Sequence, residues 1–183
     1  SVSYSVMPQL SVYAFGSYLK SKIKDDLLLT ELTNGTKIFS PTAGKRESGA
    51  PVFTLGGRVQ GELGPVEIGV QAKRTGKRFV NDSNLPILTG AAGTVVYDAA
   101  APAYTLVDFD ARVNLDFLGL NKKTYFQVNV TNVLDKLYVG SFDGGNQSPS
   151  YNAGTGAITG YSSPIFVQMG PPRTVMASLV FAF

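Results

Sequence analysis

The chain has no cysteine, no histidine and no tryptophan among its 183 residues. Without cysteine there is neither a disulfide framework nor a thiolate nucleophile. Without histidine the commonest zinc ligand, the usual general base and every Ser-His or Cys-His arrangement are gone as well. An enzyme running on carboxylates alone needs a pair of them in a cleft, and here Asp and Glu fall in strand alternation or in loops, so the expected class is not an enzyme and no metal or cofactor is expected. Charge is scarce too, at 16% Asp, Glu, Lys and Arg with a net +3, which points neither to disorder nor to a nucleic-acid partner. No apolar run of about 18 residues occurs, so a transmembrane helix is excluded.

What the chain does have is glycine (20), phenylalanine (11) and tyrosine (9), the mixture expected of strands joined by turns. The hairpin at 104–138 shows it best. Val107, Phe109, Ala111, Val113, Leu115 and Phe117 share one parity, and Asp108, Asp110, Arg112, Asn114 and Asp116 the other. After a turn at 119–122, Phe126, Val128 and Val130 oppose Tyr125, Gln127, Asn129 and Thr131. Period-two alternation is the signature of a strand with one apolar face. The first arm is about as long as the 9–11 residues a tilted strand needs to cross hydrocarbon, against about 5–6 for ordinary globular strands.

The rest of the chain follows the same plan. Strands are expected at 1–7 and 10–22, then a polar loop at 23–50. A third strand opens at Pro51 and ends at the Gly64, Pro65 turn. A fourth starts at Val66 and frays toward Val80, followed by a loop at 81–103. Beyond the 104–138 hairpin comes a loop at 141–164 rich in Gly, Ser, Asn and Gln, and a last strand with Val175, Ala177, Leu179, Phe181 and Phe183 on one parity. About seven strands thus alternate between short turns at one end and long loops at the other, the asymmetry of outer-membrane barrels. A soluble or surface binding module of lectin or adhesin type and a passive porin are the alternatives. No leader opens the chain, whose first residues already alternate, so it reads as an internal piece.

The stretch Asn129, Val130, Thr131, Asn132, Val133, Leu134, Asp135, Lys136, Leu137, Tyr138 closely resembles the penultimate-strand signature of TonB-dependent outer-membrane receptors. Asn132, Asp135, Lys136 and Tyr138 match that pattern, while Val133 and Leu134 replace its usual Leu-Phe. Gly170, Pro171, Pro172 and Arg173, leading into a strand that ends in Phe183, are similar to the family's closing segment. The resemblance implies an all-β, antiparallel, up-and-down transmembrane barrel of the 22-stranded type, of which residues 1–183 are the C-terminal portion, with plug domain and TonB box absent. It further implies active uptake of a scarce nutrient (ferric siderophore, other metal chelate or oligosaccharide) at the outer membrane of a Gram-negative bacterium. The implied partners are outer-membrane lipid, the N-terminal barrel and plug, the TonB energy-coupling complex and the barrel-assembly machinery, which would read Phe183 as its signal.

Under that resemblance Arg58, Glu62, Glu67, Lys73, Asp108, Asp110, Arg112 and Asp116 face the barrel lumen and the plug. Tyr97, Phe142, Asp143, Asn146, Gln147, Tyr151 and Tyr161 are the loop residues expected to meet ligand, as aromatic platforms and amide or carboxylate hydrogen-bonding groups. The Asn132–Tyr138 motif is expected to be architectural, with Tyr138 holding its ring in the membrane interface and its hydroxyl in water. Seven antiparallel strands leave two unpaired edges, and seven is odd where bacterial single-chain barrels have even strand numbers, so the missing strands are expected before Ser1, and the last strand should not close on residues 1–7.

Overall fold

The computed structural model describes residues 1–143, 149–152, 154–161 and 166–182. Seven strands form one antiparallel sheet in strict chain order: Val2–Met7, Leu10–Tyr18, Phe53–Leu63, Val66–Thr75, Tyr104–Asn114, Tyr125–Thr131 and Thr174–Val180. They are called here the first to seventh wall strands. Hairpins at 8–9 and 64–65 are tight, Gly64 taking the left-handed conformation (φ 61°) that closes the latter. Among the described residues ten shorter strands lie in the connections at the other end, so short turns and long loops segregate as the alternation predicts.

The register explains why the sheet has two unlike faces. Arg58 pairs with Gln71, Gln71 with Asp108, Glu67 with Arg112, Arg112 with Gln127, and Gln127 with Ser178, so the polar parities of successive strands fall in line. On the other face Val59 meets Val70, Val70 meets Phe109, Phe109 meets Val130 and Val130 meets Val175. A slip of one residue in any pair would mix the two sets.

The apolar face is not a core. Leu55, Val70 and Leu179 are 52%, 44% and 51% exposed, although each is flanked by apolar neighbours. A water-facing sheet of this size would leave an apolar patch far larger than soluble proteins carry. The buried apolar residues among those described, Val80, Ile87 and Ala101, all lie in the loops instead.

Several boundaries differ from the alternation. The second strand stops at Tyr18 and not at 22, and the fourth at Thr75, where Gly76 breaks it against the Phe53 ring before a short Arg78–Phe79 strand pairs with Ala100–Ala101. The fifth strand ends at Asn114: Asp116–Leu118 forms a 3-10 turn closed by left-handed Gly119, so Asp116 and Phe117 are exposed turn residues and not wall residues. Alternation persisted there only because turn residues happened to keep the parity. The polar loops also hold hairpins of their own, at Leu27–Glu31 with Lys37–Ser40, Ile87–Thr89 with Thr94–Tyr97, Val139–Asp143 with Phe166–Met169, and Pro149–Tyr151 with Ile158–Tyr161.

The two edge strands each pair on one side only among the described residues: Val2–Met7 with Leu10–Tyr18, and Thr174–Val180 with Tyr125–Thr131. The sheet is therefore open, and a small self-closed barrel is not what the seven strands form.

Candidate functional site

The charged face carries a connected network. The Arg58 guanidinium donates to both carboxylate oxygens of Asp110, Nη1 to Oδ1 at 2.6 Å and Nη2 to Oδ2 at 2.9 Å, and its Nε donates to Gln60 Oε1 at 3.2 Å. The Gln60 amide in turn donates to Glu67 Oε1. Planar guanidinium matches planar carboxylate here, the strong form of such a pair. The bridge skips a strand, since Arg58 lies on the third and Asp110 on the fifth; it passes over Gly69 of the fourth, where an added Cβ would come within 2.1 Å of Arg58 Nη2. Toward the turn end Glu62, Glu67, Arg112 and Asn114 line a polar cavity of about 180 Å³, and the Arg112 guanidinium lies 3.9 Å from the Tyr125 ring centroid. Arg112 Nε and Asn114 Oδ1 are buried with no hydrogen-bond partner among the described residues.

At the loop end the same face closes on Arg78, which is 7% exposed. Its Nη1 donates to the Gly140 carbonyl at 2.7 Å and Nη2 to the Val139 carbonyl, while the rings of Tyr104 and Phe142 lie 5.6 and 5.4 Å from the guanidinium carbon. Tyr138 packs on Tyr104 at 4.4 Å between centroids with the rings tilted by 33°, and its ring lies against Gly170, where an added Cβ would come within 2.0 Å of it. Burial, then the neighbouring Tyr104 and Asp108, raise the Tyr138 phenol above its ordinary pKa, with Arg78 opposing. Tyr138 thus packs on the charged face and not on the apolar one, a correction to the placement the sequence suggests.

The Asn132–Tyr138 motif and the 170–173 segment are two halves of one device. Asn132 is buried and left-handed (φ 52°), a conformation Asn tolerates better than most residues. Its Nδ2 donates to the carbonyls of Lys136 (3.0 Å) and Pro171 (3.1 Å), and its Oδ1 accepts from the Lys136 N–H at 2.8 Å. Asp135 Oδ1 accepts from the Arg173 N–H at 2.9 Å, and Asp108 Oδ1 from the Asn132 N–H at 2.9 Å. The motif is architectural, as its residue types suggest.

The loop candidates separate. Tyr151 and Tyr161 share one hairpin beside Leu29 and Pro149, at the edge of two small cavities of about 170 and 230 Å³ lined mainly by Leu29, Phe39, Leu85, Ile158 and the two tyrosines. Burial, and next the nearby Tyr161, raise the Tyr151 pKa. Tyr161 is also bonded through its backbone to Gly90, which ties this hairpin to the 87–97 one. Tyr97 lines a different and more open depression of about 410 Å³ with Val95, Val96, Asp98, Ala100 and Pro102. Phe142 packs on Arg78, and Asp143 is exposed. Asn146, Gln147 and Phe183 lie outside the described residues. Of the face residues, Lys73 is exposed and Asp116 is off the wall. Sequence reasoning missed Arg78 and Gly69: a lone arginine in a frayed strand and a glycine in an alternating one carry no spacing signal.

Among the described residues there is no group of three His, Cys, Asp or Glu side chains placed to hold a metal. No helix among them is long and apolar enough to cross a membrane, which says nothing of crossing by strands.

The fold and its faces define the class: a wall segment of a large β-barrel, with polar turns at one end and structured loops at the other. Among solved structures the chain is similar to the siderophore receptor PiuA of Acinetobacter baumannii, with a TM-score of 0.60 and 16% identity over 96% of this chain and 20% of that one. It is also similar to the ferric yersiniabactin uptake receptor FyuA of Yersinia pestis (TM-score 0.57, 16% identity, 96% and 21% covered) and to the ferric-catecholate import receptor Fiu of E. coli K12 (TM-score 0.51, 18% identity, 94% and 18% covered). The chain therefore spans about a fifth of the length of these receptors and shares the fold of that part. No protein-family model matches the chain, and no curated protein matches it in sequence.

Proposed function

We propose that the chain is the C-terminal wall segment of a TonB-dependent outer-membrane receptor that takes up a ferric chelate. The observation that carries this reading is the apolar face of seven wall strands, exposed or half-exposed with none of its large side chains buried, and free of charge among the described residues except for Arg74 at the loop end, opposite a face holding Arg58, Glu62, Glu67, Lys73, Asp108, Asp110 and Arg112. Charge on the outward face of a lipid-embedded strand costs about 2–4 kcal/mol at the midplane, whereas a lumen tolerates it. The apolar face then meets outer-membrane lipid and the charged face meets a lumen filled by the chain's own plug. The two open edges join the N-terminal barrel strands, and uptake is driven through the plug by the TonB complex after assembly by the barrel-assembly machinery. The siderophore receptors that share the fold support a ferric chelate over an oligosaccharide as cargo. Tyr151, Tyr161 and the cavities beside them, of mixed polar and apolar lining, are the part of the loop layer best suited to an aromatic chelate surface.

The test is uptake of radioactive iron by a Gram-negative host stripped of its own receptors and expressing the full-length protein, supplied with a panel of ferric chelates. Accumulation of at least one chelate that stops when the energy-coupling protein is removed supports the proposal. A protein recovered as a monodisperse monomer in buffer without detergent overturns it.

A further inference from the structure

We propose that the outward rim at the loop end, around Arg46 and Arg74, is a docking surface for lipid headgroups that carry net-negative phosphate. This rests on the apolar face being in a bilayer. Among the described residues Arg74 is the only charged one on that face of the wall; it sits at its loop-end margin, exposed, with Nη1 donating to Thr105 Oγ1 at 3.3 Å and no carboxylate partner among them. Two strands away, Tyr18 ends the apolar parity of the second strand and is 66% exposed. The Arg46 guanidinium is fixed upon it: Nη1 donates to the Leu19 carbonyl at 2.6 Å, Nη2 to the Tyr18 hydroxyl at 3.1 Å, and the ring centroid lies 5.7 Å from the guanidinium carbon.

Backbone bonds from the Ile23 N–H to the Lys45 carbonyl (3.0 Å) and from the Gly44 N–H to the Ile23 carbonyl (2.9 Å) lay segment 19–24 along 42–46. That brings exposed Lys20, Lys22, Lys24 and Lys45 to the same end of the wall as Arg46, and none of the five is in an ion pair among the described residues. The carboxylates nearby in sequence are Asp25, Asp26 and Glu47, of which Asp26 accepts from the Ala43 N–H at 2.8 Å.

A cation held on an aromatic ring at the top of an apolar belt sits at headgroup depth, its stem in the apolar layer and its charge in the polar one. Guanidinium groups bind phosphate oxygens by paired hydrogen bonds, and clustered cations at a membrane surface favour anionic headgroups. The position at the rim and the continuity with the apolar face select a lipid over a dissolved anion: a headgroup arrives at this height because its acyl chains lie against Leu55, Val59 and Val70 below.

The experiment is native mass spectrometry of the full-length protein, folded in detergent and offered an equimolar mixture of phosphatidylglycerol and phosphatidylcholine. The expected result is an enrichment of about fivefold or more for the anionic lipid. It should fall to near parity in Lys45→Gln/Arg46→Gln/Arg74→Gln and be unchanged in Lys122→Gln/Lys123→Gln at the opposite end. Lys20→Gln/Lys22→Gln, which leaves the Arg46–Tyr18 contact intact, should give an intermediate value and covers the case in which the triple variant fails to fold. Inorganic phosphate at millimolar concentration should not displace the lipid; displacement would assign the site to a dissolved anion and overturn the proposal. Equal enrichment in wild type and both rim variants would overturn it too. A protein that migrates identically heated and unheated and needs no detergent would remove the membrane reading itself, whereas a heat-modifiable barrel without lipid preference removes only the headgroup surface.

Discussion

Arg58 and Asp110 belong to strands that do not pair with each other, and they meet across the intervening strand at the one place where it has no side chain, Gly69. Each side chain keeps only about a quarter of its surface, 27% and 25%. The pair therefore fixes the register of three strands from above while the backbone ladder fixes it from within.

A double-mutant cycle with Arg58→Gln and Asp110→Asn should give a coupling of about 1–2 kcal/mol in the unfolding of the assembled barrel. Gly69→Ala should lose a comparable amount through displacement of the guanidinium, and should cost little more once Arg58→Gln is present. Additive effects of Gly69→Ala and Arg58→Gln would show that the glycine serves some other purpose.

Val70 and Gln71 are neighbours on the fourth strand with opposite faces, Val70 opposed to Val59 and Phe109 and Gln71 to Arg58 and Asp108. Val70→Arg should destabilise the membrane-inserted protein by about 2–4 kcal/mol, and Gln71→Arg by less than about 1 kcal/mol. Denaturant unfolding in lipid vesicles reads the difference; similar values for the two would count against lipid on the Val70 side.

Asn132 combines a left-handed backbone with a side chain that holds two carbonyls and one N–H. Asn132→Gly keeps the backbone and loses the bonds, while Asn132→Ala loses both. Folded-barrel yield and stability should fall in the order Asn, Gly, Ala, with about 2–3 kcal/mol lost in the last. Wild-type stability in Asn132→Ala would mean that the motif does not join the sixth and seventh strands.

The neutral phenol of Tyr151 is favoured in the folded loops by burial and then by Tyr161, so its folded pKa lies above its unfolded one. Its contribution to stability is therefore complete below the unfolded value, near 10, and is lost as pH rises through the higher folded value. In a spectrophotometric titration the Tyr151→Phe protein should lack a late-titrating phenol. Tyr161→Phe should lower the Tyr151 midpoint only in part, because burial is the larger cause.

The wall was legible in the sequence because period two is a property of the pleat itself: Val107, Phe109, Ala111 and Val113 announce a face whatever covers it. The same regularity misplaced Asp116 and Phe117, since parity continues by chance into a 3-10 turn that only the left-handed Gly119 betrays. The loop hairpins were illegible because their strands are only three to five residues long, too short for a period to show, and the segments between them are held by long-range bonds such as Ser48 to Asp82 and Arg46 to Asn84. Tyr151 and Tyr161 were found as aromatic loop residues; Arg78 was not, because its importance lies in the carbonyls of Val139 and Gly140, far along the chain.

The central claim is that one face of this sheet meets hydrocarbon and the other water. These 183 residues contain no cysteine, so once any cysteine elsewhere in the full-length protein is replaced, single cysteines placed along Val66–Thr75 can each carry a nitroxide in that protein reconstituted in vesicles. Collision with oxygen, which concentrates in lipid, and with a nickel chelate, which stays in water, should alternate residue by residue. Positions 66, 68, 70 and 72 should favour oxygen, and positions 67, 71 and 73 the chelate. Equal exposure of both parities to the chelate would contradict the account.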